Sequence, residues 1–133
     1  MSEEHKALAR RFYGSISAGR LDVIDELVAE DAVEHEDFFG LSSGREGTRH
    51  FFEMMRTAFS EFTMTIEDIL ADGDRVVVRA KMSGTHSGEF MGIAATGRRI
   101  DVPLADFVRF EGGKMVEHWG VTDTGAMMEQ LKG

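Results

Sequence analysis

The chain has 133 residues and a mass of 14.8 kDa, one domain's worth, and its 42% hydrophobic and 29% charged residues are ordinary for a globular protein. Fifteen Lys and Arg against 24 Asp and Glu leave a net charge of −9, which repels phosphate backbones and argues against nucleic acid as a partner. The absence of cysteine excludes disulfides, thiol nucleophiles and Cys-ligated metals, and no apolar run is long enough for a membrane span.

The acidic start Met1-Ser2-Glu3-Glu4-His5 has neither the basic nor the apolar segment of a signal peptide, so a cytoplasmic location is expected. From Glu3 to Ser17 the spacing of Ala7, Leu8, Arg11, Phe12 and Ser15 predicts a helix, closed by Ala18-Gly19. Asp22 is expected to cap a short helix with Val23, Ile24, Leu27 and Val28 as its apolar face. Ala32 to His35 reads as a short extended piece and Glu36 to Gly44 as a loop punctuated by Gly40 and Gly44. A third helix is predicted from about Arg45 to Ser60, with Phe51, Phe52, Met55 and Phe59 on one face.

After Phe62 the period changes from 3.6 to 2. Phe62 to Ile66 reads as a strand, Ala71 to Asp74 as a turn, and Arg75 to His86 as a strand with Val76, Val78, Ala80 and Met82 on one face. Gly84 to Gly97 is Gly- and Thr-rich and is expected to loop out. Arg99 to Phe110 and Met115 to Asp123 read as strands joined by the Glu111-Gly112-Gly113-Lys114 turn, and Ala126 to Leu131 as a closing helix. Helices followed by an antiparallel meander give the α+β class: one domain over residues 1–133, a cone-shaped fold with a curved antiparallel sheet wrapped around helices and a central pocket. Nine Met and ten Phe suit an adaptable apolar cavity, or equally an irregular core.

Asp106 is the most informative residue. It shares the parity of Ile100, Val102, Leu104, Val108 and Phe110, an otherwise apolar face. An unpaired carboxylate there is costly to ionise, and a neutral acid in an apolar pocket can donate to a developing oxyanion or act as a general acid. The alternative is a buried Asp satisfied by backbone N–H groups or an ion pair. His118 lies near Asp106 across the hairpin and would complete an acid/base couple if it points inward. Parity leaves its direction open, because Met115, Glu117, Trp119 and Val121 form the other face. His35 either enters the cone mouth as an assisting base or sits exposed. His35, His86, His118 and a carboxylate would make a metal set, but no paired-His motif accompanies them. No phosphate-binding loop or nucleophile elbow is present.

The strings Phe12-Tyr13, Ala18 to Asp22 and Glu26 to His35, then Asp106 to Phe110, Gly113 to Trp119 with Asp123, and finally Met127 to Leu131, resemble the SnoaL-like polyketide cyclases of the nuclear-transport-factor-2-like superfamily. The resemblance covers nearly the whole chain and implies the same cone. It also implies an acid/base enzyme without cofactor or metal, which removes a proton beside a carbonyl, stabilises the enolate and closes a ring by intramolecular aldol condensation. Ketosteroid isomerases share the fold, with a carboxylic acid where Asp106 stands and a base near His35. The chain departs from the pattern at Gly120, where many cyclases carry an acidic residue.

The expected catalytic residues are therefore Asp106, His118 and, assisting, His35. Tyr13, Phe52, Met55, Phe59, His86, Met91, Leu104 and Asp123 are expected to contact a small apolar molecule, with no metal. The alternatives are a non-catalytic binding module and a hydrolase or isomerase on the same scaffold. An isologous homodimer is expected through the outer sheet face that carries Val77, Arg79, Ala105, Phe107 and Arg109.

Overall fold

The first helix, α1 (Ser2–Ser17), turns its Ala9, Phe12, Tyr13 and Ile16 inward at helical spacing. The buried stripe is rotated from the predicted one: Arg11 lies outside, paired with Glu26, while Tyr13 and Ile16 are core. The helix ends in a Schellman motif, with Arg20 N–H bonded to Ser15 C=O (2.9 Å), Gly19 N–H to Ile16 C=O (3.0 Å) and Gly19 at φ +83°. These coordinates come from a computed structural model, which describes residues 2–36 and 43–133. The predicted loop between Glu36 and Gly44, with its Gly40, lies mostly outside the described residues.

The second helix, α2 (Val23–Leu27), buries Val23, Ile24 and Leu27 as expected, but Asp22 makes no side-chain cap. It runs directly into β1 (Val28–Glu34), longer than the extended piece predicted. Helix α3 (Gly44–Ala58) buries Gly47, Phe52, Met55 and Ala58, and the chain is already extended at Phe59. Strands β2 (Phe59–Asp72), β3 (Arg75–His86), β4 (Arg99–Glu111) and β5 (Lys114–Thr122) follow as an antiparallel meander, and α4 (Thr124–Lys132) closes the chain.

The sheet is curved and unclosed, in the order β1-β5-β4-β3-β2. One pairing corrects the all-antiparallel expectation: β1 lies parallel to β5, with Glu34 beside His118. Strict alternation on β3 and β4 buries Val76, Val78, Ala80 and Met82 against Ile100, Val102, Leu104 and Val108. Across this inner face α1 packs on β2 and β3, α3 on β1 and β2, and α4 on β4. The Gly112-Gly113 turn has φ +60° and +79° at its two central positions, as a two-residue hairpin connection needs. The predicted loop from Gly84 begins later: Gly84 to His86 belong to β3, and Phe90 folds back into the core against Phe59. Among the described residues no helix is long and apolar enough to cross a membrane.

Candidate active site

The curved sheet and the helices leave a pocket open at one side. Its walls are largely apolar: Phe12 from α1, Val28 from β1, Phe52 from α3, Met64 from β2, Met82 from β3, Leu104 from β4 and Met115 from β5.

Polar side chains from four elements converge in this lining. Asp106 lies in the buried row of β4 and is 7% exposed. His118 faces it diagonally, because β4 pairs Val108 with His118 and Asp106 with Gly120. A β-bulge turns His118 inward. Phe110 pairs with Met115 and Arg109 with Glu117, so Val116 is an extra residue and the alternation of β5 shifts by one. That shift allows Met115 and His118, of opposite parity, to line the same pocket.

The hydrogen bonds form a chain. The Tyr13 hydroxyl donates to Asp106 Oδ2, and His118 Nε2 lies 2.7 Å from Asp106 Oδ1. His118 Nδ1 lies 2.5 Å from Glu34 Oε2. Both ring nitrogens thus face carboxylate oxygens, the arrangement of an imidazolium. Burial alone would lower the His118 pKa, but its hydrogen bonds to Asp106 and Glu34, with their charges, raise it to about 10. Burial first, and then the neighbouring Asp106, pushes the Tyr13 phenol well above its usual range, which keeps its proton in place. The expectation of an unpaired Asp106 is corrected: it is buried, but both oxygens are bonded.

Glu36, just beyond β1, also lines the pocket. Its Oε2 accepts from the Thr122 hydroxyl (2.9 Å). Burial raises its pKa, the Thr122 hydrogen bond opposes this, and the Asp106 carboxylate raises it again. Gly120 leaves the room Glu36 occupies: a Cβ there would collide with Glu36 Oε1 and come within 2.8 Å of His118 Cε1.

Of the residues expected in the site, Tyr13, Phe52, Leu104, Asp106 and His118 line the pocket. The others are elsewhere. His35 is exposed on the outer side, stacked on Trp119 at 4.9 Å and 2.6 Å from Glu117, because strand alternation sends the side chain after Glu34 outward. Met55 and Phe59 are core residues outside the pocket lining. His86 is fully buried beside Phe59; its Nδ1 accepts the Thr96 backbone N–H (3.2 Å), and Nε2 finds no hydrogen-bond partner among the described residues. Met91 is 53% exposed at φ +51°. Asp123 is exposed and caps α4, accepting from the Ala126 N–H (2.9 Å).

The three-His metal set is therefore not assembled. Ligand atoms of Glu34, Glu36 and His118 lie within 4.8 Å of one another, but His118 Nδ1 is engaged by Glu34 and its Nε2 by Asp106. Sequence reasoning missed Glu34, Glu36 and Thr122. The available signal was that Glu34 and Glu36 flank His35 and must face opposite to it on an extended chain.

The SnoaL-like polyketide cyclase family model matches residues 7–131. Aklanonic acid methyl ester cyclase DauD of Streptomyces sp. (strain C5) is 29% identical over 118 residues, which cover 84% of this chain and 71% of that protein. Among solved structures, AclR from Streptomyces galilaeus, to which a hydroxylase role is ascribed, is 30% identical with a TM-score of 0.89, over 99% of this chain and 98% of that one. IdmH from Streptomyces antibioticus, to which a polyketide cyclase role is ascribed, is 33% identical with a TM-score of 0.84, over 97% and 99%.

Proposed function

Because the chain belongs to the SnoaL-like polyketide cyclase family, we propose that it is a cofactor-free acid/base enzyme acting on a small apolar carbonyl compound, by aldol-type ring closure or isomerisation. The observation that carries this reading is the chain of Tyr13, Asp106, His118 and Glu34 inside an otherwise apolar pocket. Removing a proton beside a carbonyl leaves negative charge on oxygen. A fixed cation in a site shielded from water stabilises that charge far better than water does. His118 is that cation, and Asp106, anchored by Tyr13, orients its Nε2 side. The Nδ1–H, which faces the more exposed Glu34, is the one able to turn to a substrate oxygen. Phe12, Phe52, Met64 and Leu104 give the hydrocarbon skeleton an apolar seat.

One observation favours a second reading, a binding module: both oxygens of Asp106 and both nitrogens of His118 already have partners within the protein. The two readings separate on turnover. Incubated with aklanonic acid methyl ester and simpler polyketide esters in the presence of EDTA, the purified protein should yield isomers of unchanged mass and altered retention time. Saturable binding with no isomer would instead establish the binding module. A product heavier by one oxygen would point to the hydroxylase chemistry ascribed to AclR.

A further inference from the structure

Six titratable side chains line the pocket among the described residues: Tyr13, Glu34, Glu36, Asp106, Glu117 and His118. An enzyme that moves a proton off carbon needs one of them free to accept it and later return it. Tyr13 keeps its proton, which it shares with Asp106. Asp106 is bonded on both oxygens. His118, with a pKa near 10, has no lone pair to offer at neutral pH. Glu34 is its counter-ion and also accepts the Glu36 backbone N–H (3.0 Å). Glu117 is held by His35 and Arg109, whose hydrogen bonds lower its pKa and make it a poor base.

Of the four carboxylates of this set, Glu36 alone has no cation bonded to it among the described residues. One oxygen accepts from Thr122 and the other stands over Gly120, and the residue lines the pocket. We infer that Glu36 is the proton-transferring carboxylate of this pocket, a catalytic residue working against the His118 imidazolium.

The inference rests on the proposed cyclase reading. The Glu36 carboxylate takes the proton from the carbon beside the carbonyl, and the C–H electron pair becomes the enolate. The enolate carbon attacks a second carbonyl of the same substrate, forming a C–C bond and an alkoxide. The alkoxide takes the proton back from the Glu36 carboxyl, so the product is an isomer of the substrate. The groups facing Glu36 set its proton affinity. They are Glu34 from β1, Asp106 from β4 and His118 from β5, with Tyr13 of α1 bonded to Asp106; the lining residues of α3 are uncharged. Burial and the carboxylates raise that affinity, while His118 and the Thr122 hydrogen bond lower it, and the net effect is upward. A carboxyl moved toward neutral pH is suited to both halves of the reaction.

The test follows deuterium incorporation from D₂O into the methyl group of 2-naphthyl methyl ketone by mass spectrometry, with binding measured separately by calorimetry. Wild-type protein should catalyse the exchange, with a rate that rises with pH through the Glu36 pKa. Glu36→Gln, which keeps an acceptor for Thr122, should bind the ketone within about threefold of wild type and lose about 10²–10⁴-fold in exchange rate. Glu36→Asp should recover part of it. Exchange in Glu36→Gln at the wild-type rate would overturn the inference and leave the cyclase reading standing. Binding of the ketone by wild type with no exchange, or no binding at all, would overturn both. Carboxyl ¹³C NMR of wild type against Glu36→Gln gives a readout independent of ligand. Glu36 should titrate above the ordinary Glu range, and titration within or below it would also contradict the inference.

Discussion

At the scale of single residues, the chemistry of the pocket is the chemistry of one histidine between two carboxylates. Asp106 accepts from Tyr13 and from His118, and an Asn there offers one oxygen to two donors. Asp106→Asn should therefore cost stability as well as turnover: up to about 3–5 kcal/mol at neutral pH, the range for breaking one side of a buried pair, and about 10²–10⁴-fold in rate. Urea denaturation and the ring-closure assay measure the two losses separately. A mutant as stable as wild type would mean that the pair contributes nothing to the fold. The sign of the His118 shift gives a pH dependence. Its folded pKa of about 10 lies above the ordinary value of 6.5, so its contribution is complete below about pH 6.5 and is lost as pH rises toward 10. The melting temperature should fall across that window, and more steeply in wild type than in Asp106→Asn, where His118 has lost one of its two carboxylates. Equal slopes in the two proteins would show that Asp106 does not hold the His118 proton.

At the scale of elements, α4 separates a capping carboxylate from those that line the pocket. Asp123 caps this helix, and Met127 and Leu131 carry its packing into the core. Asp123→Ala should cost about 0.5–2 kcal/mol in thermal unfolding with turnover unchanged; a selective loss of turnover would return Asp123 to the site. What the sequence made legible follows the same division. The β3 face was readable because Val76, Val78, Ala80 and Met82 alternate without interruption, and Asp106 was found because β4 runs regularly through it. The closing turn of α1 was readable because Gly19 must adopt a positive φ. Strand β1 was only partly readable: its first two residues are buried, the next two exposed, and its register with β5 is irregular. The direction of His118 depended on the bulge at Val116, an offset that alternation within β5 cannot reveal. The strand from Arg75 to His86 was read to its observed end, while the overlapping loop reading from Gly84 put His86 at the pocket instead of in the core. In the fold Gly84 is a strand residue whose missing Cβ would stand 3.0 Å from the Phe59 Cβ and 3.2 Å from the Ser60 carbonyl. Glu36 went unseen because its setting is tertiary, made by Thr122 and Gly120 far along the chain.

At the scale of the whole molecule, the fold has a pocket on its inner face and an outer face that mixes apolar and charged side chains. On the outside, sheet register sets Val77 beside Phe107 and Phe107 beside Trp119, with Ala105 next to Val121 in the adjoining row. Phe107 is 44% and Val121 70% exposed, an unusual pair to leave in water on neighbouring strands. This face is the expected surface of an isologous dimer. Sedimentation should give twice 14.8 kDa for wild type and a single chain for Phe107→Glu; a wild-type monomer at micromolar concentration would reject the dimer. The inner face depends on the fold bringing α1, β1, β4 and β5 together so that Tyr13, Glu34, Asp106 and His118 meet. The most direct measurement of that convergence is a ¹⁵N NMR titration of the His118 ring. Two protonated ring nitrogens at neutral pH and a midpoint near 10 are expected. A midpoint near 6.5, with one nitrogen unprotonated at neutral pH, would contradict this expectation and leave the pocket without the cation on which the proposed chemistry depends.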